Sequence, residues 1–98
     1  MPISKLSLDD CVFNCLSERD SLGGVYYWTF WGIQARIKEQ TGQFYGEPSI
    51  SAAIRNIRKP YARKRYGLPN TGEVITKRRK ANSKGYEYKL TDNAIGGK

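Results

Sequence analysis

From Leu8 to Ile57 the apolar residues of this chain recur mainly at intervals of three and four, and in its last third the period becomes two. That change constrains the fold more than any other feature. A three-to-four period gathers side chains on one stripe of a helix, whereas alternation gathers them on one face of a strand. A chain that begins with helices and finishes with strands packs its helices against a small antiparallel sheet, an α+β fold. At 98 residues it is expected to be a single domain, 1–98, with one small core.

The helical part divides at its punctuation. Ser7 or Ser4 can cap a first helix, with Asp9 and Asp10 in the opening turn where negative charge suits the helix dipole. Leu8, Cys11, Val12, Cys15 and Leu16 make its apolar face, and Phe13 falls outside that face. The helix is expected to end near Arg19, ahead of Ser21-Leu22-Gly23-Gly24. Val25-Tyr26-Tyr27-Trp28 is β-branched and aromatic, which predicts a brief strand. Thr29 then caps a second helix from Phe30 to about Gln40, with Gly42 placed to end it in the left-handed conformation.

Pro48 suits the first turn of a third helix, in which Ile50, Ala53, Ile54 and Ile57 face inward and Ser49, Ser51, Ala52, Arg55, Asn56 and Lys59 face outward. Pro60 disfavours helix at Lys59, so the regular helix is expected to stop there, with a further turn reaching Tyr66. Residues 74–80 and 86–91 flank Ala81-Asn82-Ser83-Lys84-Gly85, the pattern of a β-hairpin. Residues 92–98 are expected to fray. The predicted architecture is a three-helix bundle with a short strand after the first helix and a C-terminal hairpin.

Charge follows the same division. Residues 1–47 carry four basic against six acidic side chains, a net of −2, and residues 48–98 carry thirteen against three, a net of +10. Cations gathered in this way suit a polyanion, because neighbouring phosphates are neutralised together and their counterions released. They form two clusters: Arg55, Arg58, Lys59, Arg63, Lys64 and Arg65, then Lys77, Arg78, Arg79, Lys80 and Lys84. On the third helix small serines allow close approach to base edges, Arg55 can fork onto guanine and Asn56 can pair with adenine.

Other chemistries find little support. The chain has no histidine, and its two cysteines, Cys11 and Cys15, sit one helical turn apart, so neither a Ser-His-Asp triad nor a zinc site of the usual ligands can be assembled. No phosphate-binding glycine loop is present. An enzyme is not expected, nor a metal or other cofactor. A mean hydropathy of −0.65 without a long apolar run predicts no membrane span, and the N-terminus lacks the basic start and apolar stretch of a signal peptide. A cytoplasmic protein is expected.

The order helix, short strand, helix, tight link, helix, hairpin resembles the winged helix-turn-helix family of DNA-binding domains over residues 6–91. Phe30-Trp31-Gly32-Ile33-Gln34-Ala35-Arg36-Ile37 resembles the first helix of the motif, and Pro48-Ser49-Ile50-Ser51-Ala52-Ala53-Ile54-Arg55-Asn56-Ile57-Arg58 resembles the recognition helix. Val74-Ile75-Thr76-Lys77-Arg78-Arg79 and Tyr86-Glu87-Tyr88-Lys89-Leu90 look like the wing strands. The resemblance implies a double-stranded DNA-binding protein, a transcription regulator or an accessory factor in DNA transactions. It implies base contacts from Ser49, Ser51, Arg55 and Asn56, and backbone contacts from Arg58, Lys59, Arg63, Lys64, Lys77, Arg78, Arg79 and Lys84. The chain is expected to depart from a typical regulator, with no ligand-sensing domain expected within residues 1–98 and with a proline at position 60. A stand-alone domain of this size is similar to those encoded by phages and mobile elements, and pairing into a homodimer stays open.

Two other readings stand beside it. The cations would serve an RNA-binding protein equally well, with aromatic rings as stacking surfaces, although Tyr26, Tyr27, Trp28 and Trp31 are expected in the core. A protein-interaction adaptor could use an exposed patch of Phe13, Phe44, Tyr45 and Tyr61.

Overall fold

A computed structural model describes residues 7–19, 21–79 and 85–95. The elements run α1 (Leu8–Leu16), β1 (Trp28–Thr29), α2 (Phe30–Thr41), α3 (Glu47–Ile57), α4 (Pro60–Tyr66), β2 (Ile75–Arg79), β3 (Tyr86–Leu90) and α5 (Asp92–Ile95). The three strands form an antiparallel sheet in the order β1-β3-β2. The fold is therefore α+β, with more helices than the three expected.

Local chemistry explains each boundary. Ser7 and Asp10 form a reciprocal cap at the start of α1: the Ser7 hydroxyl accepts from the Asp10 N–H, and the Asp10 carboxylate accepts from the Ser7 N–H, each at 3.1 Å. The helix ends at Leu16, earlier than expected, and Arg19 is drawn into an antiparallel bridge with Val25. That extended backbone is incompatible with a helix reaching Arg19. β1 is shifted for a similar reason, since only Trp28 and Thr29 meet partners in β3, Tyr88 and Glu87 respectively. The Thr29 hydroxyl accepts from the Gly32 N–H at 2.9 Å and so caps α2, which Gly42 ends at φ +80°. Pro60 starts a helix rather than merely stopping one. Lys59 adopts an extended conformation before it, as proline demands of its predecessor, and α4 then runs seven residues to Tyr66.

The core lies between α1, α2, α3 and one face of the sheet. Val12, Cys15, Leu16, Ile33, Ile37, Ile50, Ile57, Val74 and Ile75 are wholly buried, with Ile54, Tyr88 and Leu90 nearly so. Cys11 and Cys15 are free and buried, and burial pushes the Cys15 thiol up to about 12, so it stays protonated and behaves as an apolar side chain. Phe13, off the main stripe of α1, stacks on Tyr66 of α4 with ring centroids 4.4 Å apart.

Asp10 also ties α1 to α4. Its carboxylate accepts from the Tyr66 hydroxyl at 2.7 Å and from Arg65 Nε and Nη2 at 3.2 and 3.0 Å. Burial raises its pKa, but hydrogen bonds from Tyr66, the Ser7 backbone and Arg65, with the Arg65 charge, outweigh that and hold it below the ordinary value.

Two expectations about burial are corrected. Trp31 is 81% exposed and Tyr26 41% exposed. On α2 the buried stripe is Ile33 and Ile37, and a residue two positions before Ile33 lies about 200° round the helix, on the opposite side. Tyr26 lies outside any strand, with its hydroxyl turned to the Arg19 carbonyl at 3.3 Å. Residues 92–95, at the start of the tail expected to fray, form α5. Asn93 Nδ2 donates to the carbonyls of Thr71 and Glu73 at 2.9 and 3.2 Å, and Ala94 packs against the core. Residues 96–98 lie outside the described residues.

Candidate nucleic-acid interface

Strand register decides where the hairpin cations point. Residues directly opposite in an antiparallel pair share a face. Ile75 pairs with Leu90, Lys77 with Tyr88 and Arg79 with Tyr86, while Thr76 pairs with Lys89 and Arg78 with Glu87. The first three pairs occupy the face that packs on the helices. Near the body that face is apolar; further along the hairpin it carries Lys77, Arg79 and Tyr86 instead, with Lys77 Nζ 4.5 Å from the centroid of the Tyr86 ring. Arg78 lies on the opposite face, where Nε donates to Glu87 at 2.9 Å and the guanidinium stacks 3.7 Å from the Tyr27 ring centroid. Lys89 Nζ approaches the same ring at 4.9 Å.

Helix α3 lies on the side to which Lys77 and Arg79 point. Arg58, at its C-terminal cap, donates from Nη2 to the Ile75 carbonyl at 3.1 Å. Tyr88 lies within the electrostatic reach of both Arg58 and Glu47: burial raises its phenol above the ordinary value, the Arg58 charge opposes the rise, and Tyr86 and Glu47 add to it. Glu47, Ser51 and Arg58, at intervals of four and seven, therefore form the flank of α3 turned to the sheet. Arg55 is exposed and leans towards that flank, its Nη1 3.3 Å from the Ser51 hydroxyl. Ser49 and Asn56, seven apart, lie on the other flank, with Ser49 exposed and Asn56 half-buried.

The cations expected to grip phosphate are not alike. Lys59, Lys64, Lys77, Arg78 and Arg79 are exposed, Arg78 while also paired with Glu87. Arg58 is half-buried, and its Nε is enclosed with no hydrogen-bond partner among the described residues. Arg63 donates from Nε to the Arg58 carbonyl at 2.8 Å and from Nη1 to the Pro69 carbonyl at 3.1 Å, stitching α4 to the ends of its neighbours. Arg65 is occupied by Asp10. Lys80 and Lys84 lie outside the described residues. The arrangement thus separates solvent-facing cations on α3, α4 and the hairpin from arginines that satisfy carbonyls or carboxylates inside the fold. Sequence spacing alone does not distinguish the two groups, because arginine suits both roles.

Tyr86 and Tyr27 belong to this region and were not singled out by the sequence. For Tyr86 the alternation with Tyr88 and Leu90 carries the signal, but it reads as a core position. The structure leaves it 39% exposed, because the hairpin continues beyond the body. For Tyr27 the aromatic run reads as strand and core, whereas the structure leaves it half-buried beside Arg78 and Lys89, which are distant in sequence.

Comparison with known protein families, with curated proteins and with solved structures finds no match in any of the three. Among the described residues no helix is long and apolar enough to cross a membrane.

Proposed function

We propose that this chain is a winged-helix protein that binds double-stranded DNA, with α3 entering the major groove and the β2–β3 hairpin lying along the backbone. The observation that carries the reading is the register of the hairpin, which turns Lys77 and Arg79 to the side of the sheet where α3 lies. Cations from two stretches of sequence then face one polyanion. Ser51 and Arg55 on one flank, and Ser49 and Asn56 on the other, read bases. Lys59, Lys64, Lys77 and Arg79 hold phosphates, while Arg58 and Arg63 support the elements that carry them. Such a protein acts as a transcription regulator or as an accessory factor in replication or recombination.

Selection of bound duplexes from a random pool tests this, with Arg55→Ala and Arg79→Ala beside the wild type. The first variant is expected to blur sequence preference, losing about 1–3 kcal/mol of discrimination at one base pair, and the second to weaken all duplexes alike. If neither changes duplex affinity, the assignment fails. The exposure of Trp31 favours a second reading, stacking on single-stranded RNA. Competition between duplex DNA and single-stranded RNA, repeated with Trp31→Ala, separates the two: preference for RNA that depends on Trp31 contradicts the duplex reading.

A further inference from the structure

The hairpin has two chemically different faces, and the difference assigns different work to its cations. One face carries Lys77, Arg79 and Tyr86, turned to the α3 side. The other carries Arg78, held between Glu87 and the Tyr27 ring, with Lys89 approaching that ring as well. Tyr27 immediately precedes β1, so Arg78 links the hairpin to the body through a residue outside it.

We propose that, among the described residues of the hairpin, the Lys77–Arg79–Tyr86 face meets DNA, with the Tyr86 hydroxyl donating to a backbone phosphate oxygen, and that Arg78 is a positioning residue that sets the angle of the hairpin. This rests on the duplex-binding reading and refines it. A tyrosine hydroxyl is among the ordinary donors to phosphate oxygens. Lys77 above the Tyr86 ring keeps that ring beside a cation, so both can approach the same stretch of backbone. Arg78, by contrast, already faces a carboxylate and an aromatic ring, and it points away from the side where α3 lies.

Salt dependence separates the roles, because each lost cation–phosphate contact flattens the slope of log K against log salt by about 0.9, whereas loss of a neutral hydrogen bond or of an orienting contact does not. The experiment titrates a labelled duplex at several salt concentrations and maps hydroxyl-radical protection on it, for the full chain and its variants, with folding checked by circular dichroism. Lys77→Ala and Arg79→Ala are each expected to flatten the slope by about 0.9. Tyr86→Phe is expected to weaken binding about two- to tenfold with the slope unchanged. Arg78→Ala is expected to weaken binding about two- to fivefold at unchanged slope. It should also lose protection where the hairpin lies while keeping it where α3 lies, which general loss of folding would not do. Tyr27→Leu removes the ring without removing a cation and should reproduce that pattern. A slope flattened by about 0.9 in Arg78→Ala, or Tyr86→Phe binding as the wild type does, overturns the proposal while leaving duplex binding intact. A wild type that does not retain the duplex overturns both.

Discussion

Asp10 is a buried carboxyl whose ionised form is favoured, because Tyr66, the Ser7 backbone and Arg65 all donate to it. A folded-state pKa below the unfolded one contributes stability that is present above the unfolded value and is lost as pH falls through the folded one. Resistance to urea is therefore expected to be level above about pH 5 and to decline as pH drops through and below the ordinary carboxyl range. Asp10→Asn should lower stability by about 1–2 kcal/mol at neutral pH and reduce that acid-side decline. A variant whose pH profile runs parallel to that of the wild type contradicts this role. The same distinction between internal and outward groups divides the neighbouring cations of α4. Arg63→Ala leaves the Arg58 and Pro69 carbonyls without its donors and should cost about 1–2 kcal/mol in urea unfolding. Lys64→Ala should leave stability within about 0.5 kcal/mol and instead flatten the salt dependence of duplex binding. The reverse pattern would exchange their roles.

At the scale of elements, the segment joining α4 to β2 and the C-terminal turn depend on each other. Gly72 has φ +81°, and a Cβ placed there would stand 2.8 Å from Asn93 Nδ2, the atom that holds α5 to the Thr71 and Glu73 carbonyls. Gly72→Ala is expected to destabilise by about 1–2 kcal/mol and to speed hydrogen exchange in α5 ahead of α3. Uniform exchange across both helices contradicts that coupling. Local signals made much of this level readable in advance. The Ser7 cap, the Thr29 cap, Gly42 and the Tyr-x-Tyr-x-Leu alternation each act within a few residues, and each element they predicted is present. What escaped was set by distant partners. Arg19 leaves α1 for Val25, the β1 pairing moves to where β3 lies, and Asn93 reaches back to the Thr71 and Glu73 carbonyls. The candidate interface was legible to the same extent: the clusters of cations stood out, but not which arginines are engaged within the fold, since Arg58, Arg63, Arg65 and Arg78 reach Ile75, Pro69, Asp10 and Tyr27, with Arg65 and Arg78 still exposed.

For the whole molecule, the uneven charge acquires a direction through the fold. The second half of the chain carries a net of +10. The hairpin register and the Arg58–Ile75 contact bring its exposed cations on α3 and on the core-facing side of the hairpin to one side of the sheet. The acidic first half supplies α1 and α2, with Arg36 of α2 paired to Glu18 at 2.6 Å and Glu39 at 3.0 Å. The measurement that tests this most directly is the affinity for a random-sequence duplex from low to moderate salt. Contact of about four phosphates, by Lys59, Lys64, Lys77 and Arg79, predicts a fall of log K with log salt at a slope of roughly −3 to −4. Affinity that does not change with salt would contradict the account.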